Sequence, residues 1–502
     1  MSSLESAREK PLDLSPEIFR KVGYELVDQI AIFLDELSSL PVAPAVDPPE
    51  IRNRLGNRSM PQDGVDAGQL LINAVSLLKA NSTFNGHPRF LGYITSSASP
   101  LGALADMLAS AINSNVGAAA LAPMATAIEQ QTIRWLAELV GFPTEGGGLL
   151  VSGGNMANIT AFWAARKAKA TWDIRRDGVT GMKAEKLVAY TSTSVHTWID
   201  KAADLSGLGL TSIRRIEVNE EGQLVTAALR RQIKTDLAAG LTPFLVVGTA
   251  GTVELGVIDP LAEISEICGE FDLWFHIDGA YGAVAGILPE YSAALNGLSM
   301  ADSVALDPHK WLYAPLEAGA LLMRDASKLV DAFSFHPVYY NFDEESAQGL
   351  VNYYEYGPQN SRGFRALKVW LTLQQAGRNG YETMLRDDIA AAKHLYGLAE
   401  RHPELEVFTH HLSITTFRYV PKNMDAANPQ NQIYLNDLNS ELLGQLNRSG
   451  KAFISNAMLH GNFILRACVV NFRTTLKDME AVAELVVKFG RELDKIMVAQ
   501  AN

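Results

Sequence analysis

Residues 273–281 read Leu-Trp-Phe-His-Ile-Asp-Gly-Ala-Tyr. A mostly apolar run ends in a carboxylate, and small residues then turn the chain. The run shows no alternation of apolar and polar side chains, which suits a strand buried on both faces of a sheet. A carboxylate at the end of such a strand is costly unless a cation or a donor meets it. Residues 303–311, Ser-Val-Ala-Leu-Asp-Pro-His-Lys-Trp, repeat the plan about one strand–helix unit later. Upstream, Lys186–Tyr190, Ile213–Ile216 and Phe244–Thr249 are further short apolar runs separated by helical patterns. The spacing fits strand–helix–strand units. It predicts an α/β fold with a doubly wound, mainly parallel sheet, whose functional residues lie in the loops at the carboxyl ends of the strands.

Towards the N-terminus, Ser15-Pro16-Glu17 opens a helix with a capping residue, a proline in the first turn and an acid at the positive end. Val22, Leu26, Ile30, Phe33, Leu34 and Leu37 form an apolar stripe at helical spacing. Pro41 to Pro49, with four prolines, then reads as an extended linker. A helix without a core of its own must pack on another part of the molecule or on a second subunit. Residues 1–85 are accordingly expected to be a helical dimerisation segment, and 86–390 the large domain. After Ala366–Trp370 a long helical stretch runs towards residue 400. Strands at Leu412–Tyr419 and Phe463–Val470 and an amphipathic helix over Asp478–Met497 make 391–502 a small α+β domain.

The chain has 502 residues, 47% of them hydrophobic and 20% charged, the composition of a globular enzyme. Its net charge of −13 argues against nucleic acid as a general partner. Two cysteines, Cys268 and Cys468, make neither a disulfide framework nor a metal cluster. The N-terminal stretch is polar and carries no secretory signal, and no window reads as a membrane span. A cytoplasmic enzyme is expected.

Four features stand at the right ends of the strands. Leu149-Leu150-Val151 leads into Ser152-Gly153-Gly154-Asn155 and a helix. A glycine-rich turn opening a helix offers free N–H groups to an anion, although an ordinary strand–helix turn looks the same. Asp278 is either a helix cap or the partner of a cation. His276 and Asp278 share a strand face, but no further metal ligands stand at a recognisable spacing, so no metal is assigned. Lys310 follows a buried strand between His309 and Trp311, where desolvation favours the neutral amine that can form an imine. His196, in Val195-His196-Thr197, follows the strand at Lys186–Tyr190; by itself it is as compatible with a structural role. Together the set matches what pyridoxal 5′-phosphate (PLP) needs: a lysine, a carboxylate for the pyridine nitrogen, a flat group over the ring and a phosphate cradle.

The chain resembles the group II PLP-dependent amino acid decarboxylases, the family of aromatic-L-amino-acid, histidine, glutamate and tyrosine decarboxylases. Asp307-Pro308-His309-Lys310-Trp311 carries the resemblance most specifically. His276-Ile277-Asp278-Gly279-Ala280-Tyr281, His87-Pro88-Arg89-Phe90 and Ser361-Arg362-Gly363-Phe364-Arg365-Ala366-Leu367-Lys368 support it. The resemblance implies fold-type I, PLP and a homodimer with sites at its interface. It makes Lys310 the imine lysine, Asp278 the partner of the pyridine nitrogen and His196 the stacking group, with Ala280 behind it. Gly154 and Asn155 fall at the phosphate, Thr252 in a threonine-bearing loop, and His309 beside the lysine. Tyr93 and Ser96 align with substrate-contacting positions. Asp307 stands where Asn is common; beside a phosphate a carboxylate would repel, so Asp307 is not expected to bind it. Val253 stands at a position that is often Thr. Gly117 and Ala119 replace bulky residues and imply a roomier pocket, to which Asn115 adds polarity.

The segment Phe335–Arg362 is long, irregular and rich in Tyr, Asn and Gly, the texture of a functional lid. By the resemblance such a loop supplies a catalytic tyrosine, and counting back from Ser361 puts Tyr353 there, with Tyr354 and Tyr356 one register slip away. The expected activity is decarboxylation of an L-amino acid, an aromatic one first, to the amine and carbon dioxide. The rivals are an aromatic aldehyde synthase on the same scaffold, a decarboxylase of glutamate or another amino acid, an aminotransferase, which the signatures disfavour, and a non-catalytic PLP-binding protein.

Overall fold

The computed structural model describes residues 10–44, 48–181, 184–335 and 351–501. Seven strands form the large sheet: β1 (Gly147–Val151), β2 (Leu187–Ser192), β3 (Ile213–Ile216), β4 (Thr242–Thr249), β5 (Trp274–Asp278), β6 (Ser303–Leu306) and β7 (Gly319–Met323). Their order is β1-β7-β6-β5-β4-β2-β3. From β3 through β6 neighbours run parallel, whereas β7 is antiparallel to both β6 and β1. The five apolar runs read from the sequence are the parallel strands. The loss of alternation has the expected cause: Val246 packs into the core on one face of the sheet and Val247 into the core on the other. Burying each such side chain contributes about 1.5–3 kcal/mol.

The small sheet, in the order β10-β11-β9-β8, is antiparallel throughout and consists of β8 (Leu405–His411), β9 (Ile414–Tyr419), β10 (Ser455–Leu459) and β11 (Asn462–Cys468). The helix Ala366–Arg401 joins the two sheets; inside it Gly377 (φ 61°, ψ 173°) leaves helical geometry. The closing helix is Leu476–Ala501.

At the N-terminal end, helix Pro16–Glu36 is capped by Ser15, whose side chain accepts from Ile18 N–H. The expected extended linker is shorter than its prolines suggested. Pro48 and Pro49 open a helix, Pro48–Leu55, because a proline has no N–H to lose in the first turn. No residue of Pro16–Glu36 or of helix Ala67–Asn81 is buried in this chain. Among the described residues, no helix is long and apolar enough to cross a membrane.

Candidate active site

The carboxyl ends of β2, β4, β5 and β6 and the start of helix Gly154–Lys169 surround one cleft. Gly154, Asn155, His196, Asp278, Ala280 and Lys310 line it, so residues far apart in sequence are brought together. Asn158, Ser194, Thr249, Gly251, Val253 and Tyr281 complete the wall.

Lys310 sits in a tight turn, its N–H donating to Asp307 O at 2.8 Å. Its Nζ lies 2.9 Å from Asp307 Oδ2. Burial works against the ammonium, but Asp307 and then Asp278 outweigh it, and the pKa is raised. The expectation that desolvation leaves the amine neutral is thus reversed by two carboxylates. Asp307 serves the lysine, in keeping with its expected unsuitability for a phosphate.

Asp278 accepts from the indole Nε1–H of Trp198 at 2.8 Å and from Ala280 N–H at 3.2 Å. Trp198, fully buried on the first turn of helix Trp198–Leu205, was not picked out from the sequence. Its one signal is its place two residues after His196, whose Nδ1 accepts from the Trp198 N–H at 3.3 Å. Burial lowers the pKa of His196, which favours the neutral ring. His276 is spent elsewhere: its ring nitrogens face Ser303 Oγ at 2.8 Å and Asn158 Oδ1 at 2.7 Å, and burial drives its pKa down to about 4. Among the described residues no three His, Cys, Asp or Glu side chains converge as metal ligands.

No side chain caps the helix that begins at Gly154, and Gly153 (φ 143°) precedes it. A Cβ at Gly154 would lie 2.6 Å from Asp307 Oδ2 and 3.0 Å from Ala280 Cβ, so only glycine brings this backbone so close.

The other expected residues lie around the cleft, not on it. His309 is packed beneath the cradle, with Nδ1 2.7 Å from Ala318 O and Cε1 3.3 Å from where a Gly153 Cβ would stand. Ser96 Oγ donates to His309 O at 2.9 Å and braces the lysine turn. Thr252 is buried behind the cleft, its Oγ1 accepting from Val257 N–H. Tyr93 is 63% exposed. Gly117 opens no space beside Lys310: a Cβ there would stand 2.2 Å from Asn360 O, so this glycine admits the neighbouring loop backbone.

Tyr353 is not brought to the cleft. It is buried, with the Arg362 guanidinium 4.5 Å from its ring centroid. Tyr354, half-buried, follows it, and its N–H donates to Gly117 O. Residues 336–350 of the expected lid lie outside the described residues.

Two buried oxygens here have no partner among the described residues, Thr249 Oγ1 and Asp307 Oδ1. PLP fits what the cleft offers. The cleft lining holds a lysine amine (Lys310), a carboxylate (Asp278), a flat ring (His196) and an uncapped helix start beside the Thr249 hydroxyl, the groups that PLP requires.

Residues 49–420 match the family model described as the pyridoxal-dependent decarboxylase conserved domain. The chain is 36% identical over 483 residues to an aromatic-L-amino-acid decarboxylase of Bacillus atrophaeus, covering 96% of this chain and 97% of that protein. It superposes on a crystal structure of Oryza sativa TDC with PLP and tryptamine with a TM-score of 0.89 and 27% identity, covering 97% and 100% of the two chains. Rhodiola rosea 4-hydroxyphenylacetaldehyde synthase is also similar, with a TM-score of 0.84 and 28% identity over 96% and 99%.

Proposed function

Because the chain belongs to the pyridoxal-dependent decarboxylase family, it is a carboxy-lyase that uses PLP, and we propose that the residues around Lys310 carry its reaction on an aromatic L-amino acid. The products are the amine and carbon dioxide. One observation carries the site assignment: Lys310, Asp278, His196 and the Gly154 helix end meet at a single cleft.

When bound, PLP supplies an electron sink for the pair released as the bond from Cα to the carboxylate breaks. Asp278 holds a proton at the ring nitrogen, and Trp198 keeps that carboxylate aimed. His196, neutral, covers the ring without adding a charge. Gly154 and Asn155 would hold the phosphate at the uncapped helix start, and Asp307 keeps the lysine amine close to this turn. A phenol of the segment after residue 350 returns a proton to Cα.

The aromatic substrate is supported by the names of the similar proteins from Bacillus atrophaeus and Oryza sativa. An aldehyde synthase is the second reading, favoured by the likeness to the Rhodiola rosea protein. A homodimer is supported by the N-terminal helices Pro16–Glu36 and Ala67–Asn81, which keep Ile18, Phe19, Tyr24, Leu70 and Leu78 exposed in the single chain. That apolar area calls for a partner surface, and two-fold pairing is the commonest arrangement. Two free buried cysteines support a cytoplasmic location.

The test is borohydride reduction of the yellow holoenzyme followed by peptide mapping, with amine, aldehyde and carbon dioxide measured for a panel of amino acids. The label is expected on Lys310 and absent from Lys310→Ala. An adduct on another lysine, or amine from non-aromatic substrates only, overturns the respective half of the reading.

A further inference from the structure

The turn that carries Lys310 is gripped from behind. Trp311 Nε1–H donates to Asp388 Oδ2 at 2.9 Å, and Tyr313 O–H donates to the same oxygen at 2.8 Å. A backbone N–H of Asn471, at the end of the small sheet, also reaches this carboxyl. Asp388 is 2% exposed and lies on the helix Ala366–Arg401. Two turns earlier on that helix, Tyr381 O–H donates to Leu312 O at 3.0 Å, and its ring stacks on Tyr313. The three residues after Lys310 are therefore each bonded to one helix. Tyr313 itself is held at φ 56°, a conformation that a non-glycine residue adopts only when its surroundings impose it.

The other side of the indole faces the cleft wall. Trp311 stacks on Tyr281 with ring centroids 5.0 Å apart and planes 23° apart, and Tyr281 lines the cleft. The residue next to Lys310 is thus clamped between the cofactor cleft and a buried carboxylate. Burying a carboxylate is expensive, and an apolar side chain of similar size would fill the space at less cost. What the carboxylate adds is direction, because it accepts from the first and third residues after the lysine at once.

We infer that Asp388 is a positioning residue for Lys310: through Trp311 and Tyr313 it fixes the turn that aims the lysine amine into the cleft. The inference rests on Lys310 being the residue to which PLP attaches.

The experiment compares holoenzyme loading in Asp388→Leu, Asp388→Asn and the wild type. Its readouts are the PLP concentration for half-loading, the absorbance of the bound cofactor, and the borohydride-fixed peptide. Asp388→Leu is expected to raise the half-loading concentration roughly tenfold, the scale of one lost hydrogen bond, and to change the absorbance. Asp388→Asn still offers an oxygen to Trp311 and Tyr313 and should recover most of the loss. Should Asp388→Leu fail to fold, Trp311→Phe combined with Tyr313→Phe removes the two donors instead, and a several-fold loss of loading is expected. Wild-type loading in either of these, or equal losses for Asn and Leu at position 388, overturns the inference. Label found on a lysine other than Lys310 would instead overturn the site assignment on which it rests.

Discussion

Lys310 Nζ and Asp307 Oδ2 stand 2.9 Å apart, three residues from one another on the turn that follows β6. Asp307 and Asp278 together outweigh the burial that disfavours the lysine's charge and favour its protonated form, whereas the proposed attack on the cofactor's aldehyde needs the neutral amine.

The pH dependence of cofactor capture follows from that pair. A raised lysine pKa means that the folded enzyme keeps the proton through neutral pH and loses it as the pH rises. The stabilisation from the pair is present below the unfolded pKa of lysine and fades as the pH climbs through the folded one. Only the neutral amine attacks, so PLP uptake by cofactor-free enzyme should accelerate from neutral to alkaline pH. Asp307→Asn should move that rise to lower pH. Uptake followed by absorbance across a pH series checks this; an unmoved profile would mean that Asp307 does not hold the proton.

Asp278→Asn should keep some cofactor and lose most turnover. The amide still accepts from Trp198 but cannot hold the ring nitrogen's proton. The expected loss is about 10²-fold or more, treating the missing charge as roughly 3 kcal/mol of transition-state stabilisation. Near-normal turnover in a folded variant would assign the task to another acid.

The loop tyrosines separate by product. Counting from Ser361 selects Tyr353, but its ring is sealed against Arg362, whereas Tyr354 is half-buried. Tyr354→Phe is expected to slow amine formation and raise oxygen-dependent aldehyde and hydrogen peroxide. Tyr353→Phe keeps the ring on the guanidinium and should leave the ratio unchanged. Amine, aldehyde and peroxide measured side by side for these variants and Tyr356→Phe decide the matter; a shift at Tyr353 would mean that the loop rearranges to release it.

Arg362 and Glu129 form a buried ion pair, with Nη2 2.5 Å from Oε1, and Arg362 also donates to Leu150 O and Val116 O. Arg362→Met removes the cation from the buried Glu129 carboxyl and leaves it the Leu150 N–H as a donor. Unfolding by urea at fixed protein concentration should show a loss of about 3–5 kcal/mol. A loss under about 1 kcal/mol would place this pair with surface bridges of little worth.

Association should depend on the N-terminal helix. Ile18→Asp combined with Phe19→Asp puts charge on its exposed apolar positions, and light scattering is expected to show a smaller species with less activity. A wild-type enzyme that is monomeric and fully active would remove the dimer.

The parallel strands were legible because burial on both faces writes itself into the sequence as unbroken apolar runs, and the cleft because its residues end those runs. What stayed hidden depends on distance across the fold. Trp198 is one tryptophan among several until its indole is seen against Asp278. Asp388 lies in a helix and would pass for a surface acid. Gly319–Met323, a five-residue run of small and apolar side chains, gives no hint that it runs back between β1 and β6. Tyr353 lies away from the cleft of its own chain, beside Arg362, and a count of residues fixes register but not which way a loop's side chains turn.

That returning strand bears on how the enzyme is made. β1, which leads into the proposed phosphate cradle, lies at the end of the sheet with β7 as its neighbour, and Gly319 lies so close to Gly153 that a Cβ would stand 2.4 Å away. The cradle is near the beginning of the large sheet in sequence, but its wall is among the last parts of that sheet to be synthesised. Such long-range pairing closes late. A ribosome must deliver the chain past Met323 before the newborn protein can capture its cofactor, so tight PLP retention marks a large domain that has finished folding.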